Sequence, residues 1–538
     1  MPLRKQHPVR FTPKGLSDAF DATEAFPGAC RSLQNLVFDP SNPELVVCRP
    51  GGVALTSFAS FTSPTFLSVY ISIGVMVYGM VSTARNPGQD EPFAFNTSTG
   101  VFIAISGVTS GNTPTSPPTS GLWVPPTMAV VGTTILVTHP GFSGTGSNYF
   151  GAIDISTPTT PAWSAANLAT STLPSVPTAV ANFNNRAYYA CGNVAYFSDV
   201  LVPLTRTNAS QSLTIGDPSP IQAFSGLPVQ TTSGGVTSAM MVFKQFQVWQ
   251  VTGDSALTTL ALNYLSLNVG TISPRSVIQT PYGTYFAAID GPYYIDPLGA
   301  VKPLTRDLKV SEQDIQAPFI YSRNPSRVAA GYSGGVYRIC MDTIVSGQNI
   351  TGDYWFDIQR RRWNGPHTLN VDCMAQIGNY FVISHANMGA VLLKSELTAS
   401  ATSVYTDNGA AISCVMESCT MPKDGNMAEK QIVESTLELS TSGSRSVYQI
   451  TALDDQRNPM DSTTITVNTP NSLWGAFVWG VGSWSSSLNI PTVYTINWNV
   501  PLVFQKMALL INVTGQNNLT IGTFFARYQE TGYTNMRV

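Results

Sequence analysis

The chain has 538 residues, 43% hydrophobic and only 11% charged, with a formal net charge of −3 and a pI near 5.8. That length holds a large core and, at about 100–200 residues per domain, roughly three domains. The near-neutral balance argues against a groove that grips phosphates by counterion release. Ordinary soluble domains carry about 25% charged residues, so the deficit points either to an exterior covered by other subunits or to a Ser/Thr/Asn-rich secreted surface.

Read in chain order, the opening MPLRKQHPVRFTPKG is basic and runs into Pro and polar residues without an apolar stretch of about 7–15 residues, so no secretory signal is expected. Residues 1–55 are read as an arm and strands of a platform domain. Residues 56–400 repeat one pattern seven times: an apolar strand, a tight turn, a second strand, then a polar Gly/Asn/Asp turn. The copies are FLSVYISIGVMVYGMV from Phe66, MAVVGTTILVTHP from Met128, FNNRAYYACGNVAYFSD from Phe183, MMVFKQFQVWQVTGD from Met240, GTYFAAIDGPYYID from Gly283, GGVYRICMDT from Gly334 and GNYFVISHANMGAVLLK from Gly378. Their starts lie roughly 45 to 60 residues apart, near the period of about 40–50 for propeller blades. The fold expected is all-β: a β-propeller of about six or seven blades with an additional β-sandwich-like platform domain.

The most apolar run, Phe66 to Val81, is too short and too β-branched for a spanning helix, so no membrane insertion is expected. Ser164–Thr170 and Ser311–Gln316 carry weak helical signals. Between residues 107 and 126 a Pro/Ser/Thr/Gly loop has no means of forming a core and is read as projecting from a blade. Thr109, Pro114, Pro117, Pro118 and Trp123 are its candidate interface or gate residues, although Trp123 also reads as a pin onto its own blade. Arg360, Arg361 and Arg362, followed by Trp363, form the densest basic run and read as a subunit-contact turn, with Trp363 packing inward. From residue 401 to 538 the strands lengthen, as in QIVESTLELSTS and NLTIGTFFARYQ, and a sandwich is expected.

Chemistry has few candidates. The four histidines, His7, His139, His367 and His385, all fall in arm or turn positions, and the seven cysteines lack metal-ligand spacing. GFSGTG from Gly141 misses the spacing of a nucleophile elbow, and no phosphate-binding glycine loop is present. A propeller glycosidase needs two carboxylates about 5 to 10 Å apart on the channel face; Asp353 and Asp357 are an acidic pair, but Asp357 lies in the strand-ending turn FDIQRRRW. No catalytic residue, cofactor or metal is assigned.

Two stretches resemble the tail nozzle or tail hub (tail tube) proteins of short-tailed, podovirus-type bacteriophages. One is FPGACRSLQNLVFDPSNPELVVCRPGGVALTSF from Phe26, in which Asn35, Leu36, Pro40, Pro43, Arg49, Pro50 and Gly51 match. The other is PLVFQKMALLINVTGQNNLTIGTFFARYQETGY from Pro501. The resemblance implies a structural virion protein rather than an enzyme, assembled in the bacterial host cytoplasm into the tail. It implies a homo-hexamer docked on a tail adaptor (head-to-tail connector) ring, contacting tail fibres or tail-tip proteins. Such a ring closes the DNA channel, retains the packaged genome and meets double-stranded DNA transiently and non-specifically during ejection. The alternative from another class is a secreted or surface β-propeller that binds or hydrolyses glycans.

Overall fold

The computed structural model describes residues 6–17, 26–57, 64–83, 88–116, 124–230, 236–253, 260–304, 328–345, 348–369, 371–385, 391–398, 403–422, 428–441, 445–468, 491–515 and 518–532. Among these, strands dominate, and the sole helical element is the single 3-10 turn Pro274–Ser276. The alternation of Val, Ile, Tyr and Phe with small polar residues suits pleated, half-buried surfaces, and left-handed Gly and Asn residues such as Gly74, Gly132, Asn184 and Gly378 turn the innermost hairpins.

Seven antiparallel meanders close a ring. Blade 1 is Pro64–Ile73, Met76–Thr83, Gln89–Asn96 and Val101–Ile103; blade 2 is Thr127–Val131, Thr134–Thr138, Phe150–Asp154 and Ala162–Ala166. Blade 3 is Val180–Phe183, Arg186–Cys191, Val194–Phe197 and Ser212–Thr214; blade 4 is Ala223–Gln230, Val236–Phe243, Val248–Thr252 and Ala261–Ser266. Blade 5 is Ile278–Thr280, Gly283–Ala288, Gly291–Ile295 and Val301–Pro303. Blade 7 is Val371–Ile377, Tyr380–His385 and Val391–Glu396, completed on its outside by Gly52–Ser57 from the N-terminal region. These six are free-standing four-stranded sheets. The meander between blades 5 and 7, Ala329–Ser333, Val336–Val345, Gln348–Asp357 and Arg362–His367, is blade 6, whose outer strand runs on into the platform through Leu33 and Gly365.

The seven copies read in the sequence fall one to a blade, though not all on the same hairpin. Those from Phe66 and Met128 are first and second strands; those from Phe183, Met240, Gly283 and Gly378 reach the third. The first strands of successive blades neighbour one another around the whole circle. Apolar faces of adjacent blades make the core, for example Phe93 and Phe95 against Val382 and Leu392 between blades 1 and 7, and Phe243 against Phe286 between blades 4 and 5. Each such side chain, fully buried, stabilises by about 1.5–3 kcal/mol before chain entropy is counted.

The platform is a sandwich of two sheets. One orders Leu36–Phe38, Val46–Cys48, Leu519–Gly532, Glu429–Thr441 and Thr492–Thr495, with Gln6–Phe11 and Val503–Phe504 alongside. The other orders Ala29–Gln34, Ala410–Ser418, Ala508–Gly515, Ser446–Leu453 and Pro459–Val467. Leu437, Leu439, Ile521 and Phe524 of the first meet Tyr448, Ile450, Ile511 and Val513 of the second, and the same core continues through Trp363 and Phe356 to Tyr337 and Tyr285 at the interface of blades 5 and 6. The helical signal at 164–170 is overridden: Ala162–Ala166 and Ala169–Thr170 are strands, because the former pairs residue for residue with Phe150–Asp154. Residues 311–316 lie outside the described residues.

Candidate functional site

The densest polar constellation lies where the chain passes between platform and propeller. Asn35 turns the chain from Ala29–Gln34 in one sheet into Leu36–Phe38 in the other, with φ at 57°, a left-handed corner that Asn tolerates. All its polar groups are engaged. Its N–H donates to His367 Nδ1 (3.0 Å), and its Nδ2 donates to Thr368 Oγ1 (2.9 Å) and the Ser413 carbonyl (2.6 Å). Its Oδ1 accepts from Arg49 Nε (2.9 Å) and the Thr368 N–H (3.0 Å).

Arg49, fully buried, opens the three-residue crossing Arg49–Pro50–Gly51 into blade 7, and Asp407 marks the return crossing. The guanidinium forks onto both Asp407 carboxylate oxygens, 2.9 Å at Oδ1, which also accepts from the Gly52 N–H at 3.0 Å. Burial disfavours the charged guanidinium, but Asp407 outweighs it and holds Arg49 above its ordinary pKa. Gly51 fits because a Cβ there would stand 2.0 Å from the Thr406 carbonyl oxygen. His367 is pushed well below the ordinary histidine pKa by burial, then by Arg49 and Arg338. Since Nδ1 accepts from Asn35, the proton of the neutral ring sits on Nε2 and is donated to Asn364 Oδ1 at 3.0 Å. Beside it, Arg338 of blade 6 holds Asp353 through Nε and Nη2 and reaches Ser395 of blade 7 through Nη1 (2.8 Å).

A cavity of about 200 Å³ is bounded by first strands and blade entries, among them Val69, Thr127, Val180, Phe224, Ile278 and Ala329. Arg275, from the entry to blade 5, reaches across to the Tyr70 hydroxyl (2.7 Å) and lies 5.0 Å from that ring's centroid. At about 200 Å³ that cavity is smaller than the roughly 300–1,000 Å³ of a small-ligand site and does not hold a DNA duplex.

The residues picked from the sequence separate. Pro117, Pro118 and Trp123 lie outside the described residues. Thr109 is exposed and Pro114 buried, and residues 107–116 do not project, correcting the expectation for this half of the loop. They fold back on blades 1 and 2 because polar partners wait there. The Asn112 carbonyl accepts from Trp163 Nε1 (3.1 Å), Thr115 N–H donates to the Gly141 carbonyl (3.0 Å), and the Ser116 hydroxyl donates to Asp90. A Cβ at Gly141 would meet the Thr115 carbonyl oxygen at 1.8 Å, so glycine is required for this approach. Asp90 also accepts from Ser82 (2.7 Å) and from His139 Nε2 (2.8 Å), while His139 Nδ1 accepts from the Gly141 N–H (2.9 Å). Burial raises the Asp90 pKa, yet the bonds from His139, Ser116 and Ser82 outweigh it and leave the carboxyl below its usual range. The order of groups is not that of a nucleophilic triad: the hydroxyls meet the carboxylate, not the imidazole, so nothing activates them.

The arginine turn is committed partly within the chain. Arg360 pairs with Asp357 (2.7 Å) and donates to the Pro40 carbonyl (3.3 Å), Arg362 lies 5.7 Å from the Phe38 ring centroid, and Trp363 packs inward with Nε1 on the Leu304 carbonyl (3.0 Å). Arg361 stays exposed, touching the Tyr294 hydroxyl at 3.2 Å. Asp353 and Asp357 are each neutralised by an arginine and sit on separate rungs, opposite Cys340 and Val336. Cys414 and Cys419 diverge, the first toward Cys48 and the Asn35 carbonyl, the second toward the Ser17 carbonyl. Among the described residues no group of three His, Cys, Asp or Glu side chains converges as a metal site, and no helix is long and apolar enough to cross a membrane.

No protein-family model and no curated protein matches the sequence. Among solved structures, the chain is similar at 11% identity to a mutant of a puromycin hydrolase (TM-score 0.39, covering 68% of this chain and 60% of that one). It is similar at the same identity to a Mycobacterium tuberculosis puromycin-hydrolyzing peptidase (TM-score 0.37, 68% and 61%). The chain thus spans about three-fifths of the length of either hydrolase. An exo-β-1,3-galactanase from Phanerochaete chrysosporium matches at 6% identity and TM-score 0.23, over 88% of this chain and 100% of that one. Likeness at this level carries no argument about activity. The resemblance marked Asn35, Arg49 and Gly51, and His367 stood among the four histidines, each without the role found here; Asp407 and Asp90 gave no signal toward Arg49 and His139, which lie 358 and 49 positions from them.

Proposed function

We propose that the chain is a subunit of a hexameric tail nozzle or hub of a short-tailed bacteriophage, a structural conduit docked on an adaptor ring. The observation that carries this reading is that the two stretches resembling such proteins, some 450 residues apart, meet in one joint. Val46 and Val47 pair with Ile521 and Thr520 in a single sheet. The matching residues Asn35, Arg49 and Gly51 then clamp that sheet to the propeller. A joint of this kind suits a wall under internal pressure, since both chain crossings share one ion pair, and a closed propeller presents few open edges. The DNA path lies between subunits, not through a propeller. Arg361 is the residue of the arginine turn left available for a neighbouring copy, and residues 107–116 belong to the frame, not to a gate.

Mass photometry and negative-stain projection of the purified chain, alone and with its adaptor, test the reading. A sixfold ring near six times the 57.7 kDa chain mass is expected. A persistent monomer that cleaves glycosidic bonds would move the chain to the alternative class of glycan-active propellers.

A further inference from the structure

A cleft of about 570 Å³ opens between the folded-back loop and the outer part of blade 2. Its size is that of small-ligand sites, about 300–1,000 Å³, but its lining is not the usual apolar one. Asn112 stands on one wall; Ser143, Thr145, Ser147 and Asn148 come from the turn between Thr134–Thr138 and Phe150–Asp154; Ser164 comes from the outermost strand. The remainder is glycine and alanine, so among the described residues neither a charge nor a large apolar side chain lines the space.

The walls are fixed by bonds that leave the cleft-lining hydroxyls in place. Asn112 uses its carboxamide on its own loop, Oδ1 accepting from the Thr109 N–H (2.9 Å) and Nδ2 donating to the Gly107 carbonyl (2.8 Å). In the opposite turn the Gly144 N–H donates to the Asn148 carbonyl and the Asn148 N–H to the Thr145 carbonyl, each at 2.9 Å, and the Ser143 and Thr145 hydroxyls are 2.9 Å apart. Asn148 Oδ1 is shielded from solvent and accepts from no described residue.

The chemistry of the lining selects the ligand by elimination. Among the described lining residues an ionic ligand finds no countercharge, and an acyl or aromatic ligand finds no apolar floor. Hydroxyls and carboxamides both donate and accept, which matches a ligand whose every edge does the same. We propose that this cleft binds a neutral oligosaccharide. The inference holds for a ring subunit and for a free propeller alike, so it does not rest on the nozzle reading.

Saturation-transfer NMR on the full chain with maltohexaose, laminarihexaose, chitotetraose and a mannan oligosaccharide tests it. At least one sugar is expected to receive saturation. Ser164→Trp, which fills the cleft from an exposed position, and Ser147→Asp, which introduces a charge at an exposed lining residue, are each expected to weaken that binding at least tenfold with an unchanged melting temperature. Val101→Ser on the rim of blade 1 is expected to leave it unaltered. Absence of transfer to all four sugars overturns the proposal. So does binding that survives both cleft variants, or binding that Val101→Ser weakens equally.

Discussion

Arg49 is the residue whose loss is most costly to the joint. Removing one partner of a buried ion pair leaves the other uncompensated, and Arg49→Met is expected to lower the unfolding free energy in urea by about 3–5 kcal/mol. Adding Asp407→Leu to that variant should recover a large part, because the stranded carboxylate is then gone. Gly51→Ala is expected to destabilise by about 1–3 kcal/mol through the clash with the Thr406 carbonyl, read as a lower urea midpoint with unchanged slope. His367 gives the joint a pH dependence of known sign. Its folded pKa lies below the unfolded value of about 6.5, so the unfolded chain takes up the proton first as pH falls. The contribution is complete above about pH 6.5 and is lost progressively below it. Urea midpoints at neutral and mildly acidic pH should therefore fall with acidification, and His367→Gln should flatten that slope.

At the scale of elements, the loop after blade 1 shows what the sequence displays and what it hides. Alternation and glycine spacing located all seven blades, because strand period and turn chemistry are local properties. Composition alone made residues 107–126 a projecting loop. The half that folds back does so for reasons no window of sequence contains: the Trp163 indole N–H, the Asp90 carboxylate and the bare backbone at Gly141 each supply a docking point from another strand or turn. The joint is hidden in the same way, since Asn35 and Thr368, or Arg49 and Asp407, are more than 300 positions apart. Asp90→Ala removes the acceptor for Ser82, Ser116 and His139 together. It is expected to cost about 1–3 kcal/mol per stranded donor that stays buried and to release the loop, so that limited proteolysis cuts within 107–116 in the variant and not in the parent.

For the whole molecule, the decisive arrangement is that Gly52–Ser57 supplies the outer strand of blade 7, pairing with Val391–Glu396. Deleting residues 1–57 removes that strand, the platform strands Gln6–Phe11, Ala29–Gln34, Leu36–Phe38 and Val46–Cys48, and the Arg49 clamp at once. The shortened chain is expected to unfold without a cooperative transition by tryptophan fluorescence, whereas the full chain keeps one. Timing follows from the same closure. A polypeptide leaving the ribosome at about 5–20 residues per second presents its early segment long before the third strand of blade 7 exists to receive it, and longer still before Leu519–Gly532 arrives beside Val46–Cys48. The growing chain therefore holds these early strands unmatched until Val391–Glu396 and then Leu519–Gly532 have been made, and the closed propeller and its platform form only after that.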